Sequence, residues 1–358
     1  MNPLILLNPG PVSLSKRVRD ALVKEDLCHR EPEFSSLQDS IRKKLISIYN
    51  LDSTSWASVL LTGSGTAAVE AMIAGLVPEN QRILIVENGV YGERMTKIAR
   101  AHGIKCDVLN SDWLDAIAGD ELEKMLKQKK FSHVALVHHE TTTGRLNKLE
   151  QLGKICKRHG VRILLDGVSS FGGENIEFEK WNLDACAATA NKCLHGVPGA
   201  AFVLVNRAAL AAGRSPKTVY LDLSTYLSKQ DCGETPFTQS VQCFYALNEA
   251  LDEFIESGGW RQRNANFQHR MDIIRNCLDQ LGIEQLIDRE ESSCVLASFK
   301  LPPKKTYSEL HDELKSSGFI IYAGQGKFSS EVFRISPMGD ISEPDISRLI
   351  CALKRALT

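Results

Sequence analysis

The sequence predicts an α/β protein, with a large domain built on a mostly parallel sheet covered by helices and a smaller C-terminal α+β domain. Continuously apolar, β-rich runs alternate with helix-period segments between about residues 50 and 210, the pattern of a sheet buried on both faces. A long helical region then runs from about 238 to 282, and beyond it the apolar runs become shorter and mixed. In order, "ASVLLTG" precedes "TAAVEAMIAGL", "RILIVEN" precedes "GERMTKIARAHG", and "HVALVHH" precedes "KLEQLGKICKRHG". "VRILLDG" closes these units, and "LDACAATA" and "AAFVLVN" add two further apolar runs. Gly258-Gly259 breaks the long helical region. The C-terminal pattern passes through "SCVLASFK", "TYSELHDELKSSG", "FIIYAG", "VFRIS" and a final helix "DISRLICALKRAL".

A chain of 358 residues is too long for one simple core, which agrees with two domains. Its net charge of −1 and its dispersed basic residues argue against nucleic acid or an anionic membrane as partner. The densest basic run, Lys127-Gln128-Lys129-Lys130, reads as a solvated helix end. No apolar run reaches membrane-spanning length, and "MNPLILLNPGP" has neither the charged start nor the length of a signal peptide. The ten cysteines form no CxxC pair and sit within apolar segments such as "DACAATA" and "LICAL". That usage predicts reduced, buried thiols in a cytoplasmic protein.

Several polar residues stand out against this background. Gly63-Ser64-Gly65-Thr66 lies between a strand and a helix, where glycines admit a ligand and a helix N-terminus offers N–H groups to an anion. The same residues also suit a tight turn with Thr66 as the helix cap. Val69 and Ala68 stand where a third glycine would complete a dinucleotide motif, so a single phosphate fits better than a pyrophosphate. Asp166 ends a buried strand, at the edge where open α/β sheets bind ligands, although a capping aspartate occupies the same kind of position. Lys192 follows after one more apolar strand, inside "ATANKCLHGVPG". A desolvated lysine has a lowered pKa and attacks carbonyl carbon. Pyridoxal phosphate would match all three features, with an aldehyde for the lysine, a ring nitrogen for the aspartate and a phosphate for the glycine turn. His138-His139-Glu140 looks like a metal cluster, but adjacent strand residues face opposite ways and no second ligand group of zinc spacing occurs, so no metal site is expected.

Together the segments "LLNPGPVSLS", "VLLTGSGTAAVEA", "LIVENGVYGERM", "ALVHHETTTGRLN", "DGVSSFGG", "ANKCLHGVPGAAFVLV" and "GFIIYAG…VFRIS" resemble the class V, fold type I, pyridoxal-phosphate-dependent aminotransferases nearly end to end. "HHETTTG", "SSFGG" and "NKCLHGVPG" resemble its phosphonate branch, which exchanges an amino group between 2-aminoethylphosphonate and pyruvate. The resemblance implies that Lys192 bonds to the cofactor and shuttles the proton, and that Asp166 pairs with the ring nitrogen. It implies that Ser64, Gly65 and Thr66 hold the phosphate, that Tyr91 stacks on the ring, and that Thr141 bonds near the phenolic oxygen. Without the resemblance, Tyr91 reads as a core tyrosine, Thr141 as a turn threonine and Arg334 as a surface arginine on an edge strand. With it, Arg334 grips the substrate carboxylate, a task for a planar, bidentate donor. Thr238 matches a threonine that reaches the partner subunit's phosphate, implying a homodimer with active sites at the subunit interface.

Departures fall at the substrate end. Ser336-Pro337-Met338-Gly339 replaces the usual "GNIG", and "FTQS" replaces Thr-Ser-Pro around Thr238. "CHREPEF" is similar to the alanine– and serine–glyoxylate aminotransferases. Within it Arg30 is a second anion grip or an ion-pair partner of Glu31 or Glu33, and Lys327 in "AGQGKFSSE" stands where it could touch substrate. The expected organisation is an N-terminal segment near the active site (1–15), a cofactor-binding domain (16–250) and a small domain (251–358). The expected activity is transamination of a small phosphonate-bearing amine with pyruvate, with alanine– or serine–glyoxylate transamination as the alternative.

Overall fold

The computed structural model describes residues 4–213, 216 and 218–358. The first strand, β1 (Ile5–Leu6), is followed by β2 (Trp56–Gly63), β3 (Arg82–Glu87), β4 (Lys105–Asn110) and β5 (His133–Val137). A hairpin of β6 (His139–Glu140) and β7 (Arg145–Leu146) leads to β8 (Arg162–Asp166), β9 (Leu183–Thr189) and β10 (Gly199–Asn206). Seven of these form one sheet in the order β2-β10-β9-β8-β5-β3-β4. All neighbours are parallel except β10, which runs antiparallel to both β2 and β9.

The apolar runs are buried on both faces, because successive strand residues point to opposite sides. Leu84 and Val86 join one core with Leu60, Leu136 and Leu165, while Ile83 and Ile85 join the other with Leu61, Val137 and Leu164. The helix Gly65–Leu76 packs on β9 and β10, and its residues are buried almost all round. The basic run at 127–130 is exposed, at and just beyond the end of the helix Gly119–Gln128.

The long helical region is two helices, Val241–Glu256 and Gly259–Gln280, separated where Gly258 takes a φ of 97°. Four further strands follow: β11 (Ala297–Lys300), β12 (Phe319–Ile320), β13 (Tyr322–Ala323) and β14 (Val332–Ile335). β14 is the middle strand of the order β11-β14-β13. β1 pairs in parallel with β12, so Ile5 and Leu7 sit in the C-terminal core beside Phe299, Phe319 and Leu349.

One expectation fails. Cys156, Cys186, Cys193, Cys277 and Cys294 are buried free thiols, but Cys28, Cys232 and Cys351 are exposed. Cys351 lies on the outward side of the last helix, where an apolar neighbourhood in sequence is not burial in space. Among the described residues no helix is long and apolar enough to cross a membrane.

Candidate active site

Because β2, β3, β5, β8 and β9 run the same way, the residues just past Gly63, Glu87, Val137, Asp166 and Thr189 gather at one edge of the sheet. The turn after β9 is compact. His195 takes a φ of 61°, and the Gly196 N–H donates back to the Ala190 carbonyl at 2.8 Å. This places Lys192 inward, where its Nζ donates to the Pro9 carbonyl of the N-terminal segment. Burial lowers its pKa to about 8, assisted by Arg334 and Arg94 and opposed by Cys193 and Asp166. Lys192 is not a solvated surface lysine.

Asp166 is 6% exposed, and its Oδ1 accepts the Val168 N–H at 3.0 Å. Burial raises its pKa to about 6 against the pull of that N–H, Arg94 and Lys192. At neutral pH it is mostly anionic, with no side-chain ion pair in hydrogen-bond contact among the described residues. Asp166 lines a cavity together with Thr66, Tyr91, Arg94 and Val168. The helix N-cap beside it is Ser64, whose side chain makes no capping bond; Thr66 lies inside the first turn, so the Thr66-cap reading is set aside. A Cβ on Gly65 would come within 2.8 Å of Val168, so only glycine fits that approach.

On the other side stands the β6–β7 hairpin. Thr141 is buried, its hydroxyl has no partner among the described residues, and its carbonyl accepts from Arg334 Nη1 at 2.9 Å. Arg334 is 5% exposed in the central strand β14, and its Nε donates to the Ala323 carbonyl at 2.8 Å. It is not the surface arginine of an edge strand.

Two predicted residues are not gathered into this cavity within one chain. Thr238 is exposed, next to Gln239, which bonds Thr62 just before the glycine turn. Arg30 is exposed, and the charges it acts on are Lys229 and Glu234. Lys327 lies 3.5 Å from Asp112 and 5.2 Å from the Trp113 ring centroid.

Sequence reasoning gave no role to three residues, having weighed His139 and Glu140 only as a metal cluster. Arg94 sits 4.7 Å from the Tyr91 ring centroid and 3.4 Å from Thr66 Oγ1. His139 donates from Nδ1 to the Ser169 carbonyl, and burial lowers its pKa to about 4, leaving a neutral imidazole whose Nε2 is unpartnered. Glu140 is fully buried. A run of polar residues between an apolar strand and a glycine, "HHETTTG", was the available signal for the last two.

The aminotransferase class-V family profile matches residues 17–336. The chain belongs to that family. It is 33% identical over 360 residues to a 2-aminoethylphosphonate–pyruvate transaminase of Phocaeicola vulgatus, covering 99% of each chain. Its fold is similar to an alanine–glyoxylate aminotransferase of Nostoc sp. (TM-score 0.93, 26% identity, 100% of this chain and 96% of that one). It is similar also to a Thermus thermophilus aspartate aminotransferase (TM-score 0.91, 27% identity, 99% of each).

The residues at the sheet edge fit pyridoxal phosphate, the cofactor this family implies. Lys192 offers an amine whose pKa is lowered by burial, Asp166 a buried anion, and Thr141 a buried hydroxyl without a hydrogen-bond partner among the described residues. The helix start at Ser64–Gly65 suits a phosphate.

Proposed function

We propose that this aminotransferase moves the amino group of 2-aminoethylphosphonate, or a close phosphonate- or phosphate-bearing amine, to pyruvate, giving phosphonoacetaldehyde and alanine. What carries the reading is the conjunction of a half-buried Lys192 and a buried Asp166 at one edge of the large sheet with a buried Arg334 held on the Thr141 carbonyl, in a chain similar over its whole length to a phosphonate transaminase. When bound, pyridoxal phosphate supplies an aldehyde that takes up amino groups and a ring that draws electrons from the carbon losing its proton.

In this reading Ser64, Gly65 and Thr66 would hold the phosphate and Tyr91 would stack on the ring. Asp166 would keep the ring nitrogen protonated, since its own pKa of about 6 leaves it mostly charged at neutral pH. Lys192, with a pKa of about 8, is neutral often enough at neutral pH to accept the proton from substrate carbon and return it. Arg334 takes the keto-acid carboxylate. Its Nε and Nη1 are already held by the carbonyls of Ala323 and Thr141, which fixes the guanidinium plane before substrate arrives. Thr238 and Arg30, both exposed, would act across a homodimer interface, Thr238 on the partner's cofactor phosphate and Arg30 on the anionic end of the amine. The second reading, alanine– or serine–glyoxylate transamination, draws on "CHREPEF" and the similarity to the Nostoc enzyme.

Single-turnover absorbance changes of the cofactor-loaded protein separate them. The panel is 2-aminoethylphosphonate, alanine, serine and phosphoethanolamine, each without keto acid. Conversion by the phosphonate well ahead of serine is expected. Conversion by serine or alanine with no response to the phosphonate would transfer the protein to the glyoxylate branch.

A further inference from the structure

We propose that Glu140 is a positioning residue for this reaction, clamping the helix that carries Tyr91 onto the hairpin that carries Thr141 and, through it, Arg334. The proposal rests on the aminotransferase reading of the site. Glu140 is 0% exposed, at the end of β6. Its Oε1 accepts the Thr142 N–H at 3.0 Å and the Thr142 hydroxyl at 2.6 Å. That hydroxyl in turn accepts the Val90 N–H at 3.2 Å. The direction of the chain is therefore set: Val90 N–H to Thr142 Oγ1, and Thr142 O–H to a carboxylate that must act as acceptor.

Val90 and Tyr91 open the helix Val90–Ala101, whose N-cap, Gly89, has no side chain to offer. Glu140 Oε2 has no hydrogen-bond partner among the described residues and lies against this glycine. A Cβ on Gly89 would fall 2.2 Å from Glu140 Cδ and 2.5 Å from Oε2, so the glycine exists to admit the carboxylate. A negative charge beside the first turn of a helix is favourable, and here it comes from a different element. Burial pushes Glu140 up to about 7; the two Thr142 bonds and the Tyr91 N–H oppose the shift, and Asp166 adds to it. Arg334 also feels the Glu140 charge.

The clamp joins both halves of the site. Tyr91, one residue past the clamped Val90, lines the cavity with Asp166. Thr141, between Glu140 and Thr142, holds Arg334 Nη1 through its carbonyl. Neutralising Glu140 frees the helix start and the hairpin together, loosening the cofactor face and the carboxylate grip at once.

The test uses Glu140→Gln above about pH 8, where the wild-type group is anionic, so that the substitution keeps the shape and removes the charge. Tryptophan quenching during pyridoxal phosphate titration of the apoprotein gives cofactor affinity, and the inhibition constant of oxamate, an unreactive pyruvate isostere, reports the carboxylate grip. Both constants are expected to weaken by about 10-fold, with kcat at saturation changing less, the scale of one charged hydrogen bond. A lower melting temperature with both constants unchanged would overturn the proposal, because the residue would then be structural only. If the glutamine variant fails to fold, Thr142→Val breaks the same chain and Thr142→Ser preserves its hydroxyl. Loss in the valine variant recovered by serine supports the clamp; equal behaviour of the two rejects it. A wild-type protein that binds cofactor and oxamate yet turns over no phosphonate refutes the substrate reading alone, since both constants remain measurable.

Discussion

The two ends of the same three strands treat charge in opposite ways. Where β5, β8 and β9 begin, His133, Arg162 and Asp184 form a closed network. Arg162 Nε donates to Asp184 Oδ1 at 2.6 Å, its Nη1 and Nη2 bond Asn182 and the Leu183 carbonyl, and His133 Nε2 lies 3.2 Å from Asp184 Oδ2. Burial works to raise the Asp184 pKa, yet the bonds from His133 and Arg162 hold it below the usual carboxylate value. Where the strands end, burial wins: Asp166 is raised to about 6, Glu140 to about 7, and Lys192 is lowered to about 8. Polar groups there also lack partners, Thr141 Oγ1 and His139 Nε2 among them. Satisfied charge marks the structural end of the sheet, and unsatisfied charge the end prepared for a ligand.

Substitutions at the two ends should therefore separate activity from stability. The largest effect is expected for Lys192→Ala, which removes the proton carrier and should lower turnover by about 10³-fold or more while the protein remains folded. Steady-state rates beside a thermal melt decide it, and retained turnover would dissociate this end from catalysis. Next, Arg334→Lys keeps a charge but not the planar fork and should raise the KM for pyruvate by roughly 10- to 100-fold with a smaller change in kcat. At the opposite end, Asp184→Asn should cost about 2 kcal/mol of stability, discounted because Arg162 is partly exposed, and leave kcat near wild type. Urea unfolding and rates on the same preparation measure both, and a fall in kcat without loss of stability would blur the contrast.

The ends should also respond differently to pH: at the ligand end Lys192 and Asp166 act in opposite directions, whereas Asp184 acts alone at the other. The folded pKa of Lys192, about 8, lies below its ordinary 10.5, so its contribution to apoprotein stability is present above 10.5 and lost as pH falls through about 8. The folded pKa of Asp166, about 6, lies above its ordinary 3.8, so its contribution is present below 3.8 and lost as pH rises through about 6. Asp184, held below its ordinary value, contributes above 3.8 and loses that contribution as pH falls further. Lys192→Met should accordingly raise the apoprotein melting temperature below about pH 8 and have no effect above about 10.5, as melts across the range would reveal. The smallest change is expected for Lys327→Ala. Half-exposed and paired with Asp112, it should alter the KM for pyruvate by no more than about 3-fold, the scale of a surface ion pair.

Much of this contrast was legible in the chain. Lys192 and Asp166 stood out because charged residues in apolar runs need a reason, and the alternation of strand and helix placed both at one sheet edge; Arg334 was singled out by the family resemblance alone. Arg94 did not stand out, because it resembles an ordinary helix charge until its neighbours are known, and Glu140 was weighed only as part of a metal cluster and set aside. Their roles depend on contacts between distant segments: Thr142 with Val90, Arg94 with Thr66, Thr141 with Arg334.

The sequence alone determined the layered α/β architecture, since apolar runs of strand and helix period can be buried together in few ways. It also determined the chemistry available to the site, because lysine, aspartate and arginine carry their reactivity with them. Strand direction was left to the tertiary structure: "AAFVLVN" is equally apolar read either way, and only pairing shows β10 antiparallel to both neighbours. The partnering of β1 with β12, and with it the delivery of Pro9 to Lys192, was likewise decided by packing. Burial decided the charge states as well, since a pKa depends on how much water and which dipoles the fold leaves around a group, and neither is written in the local sequence.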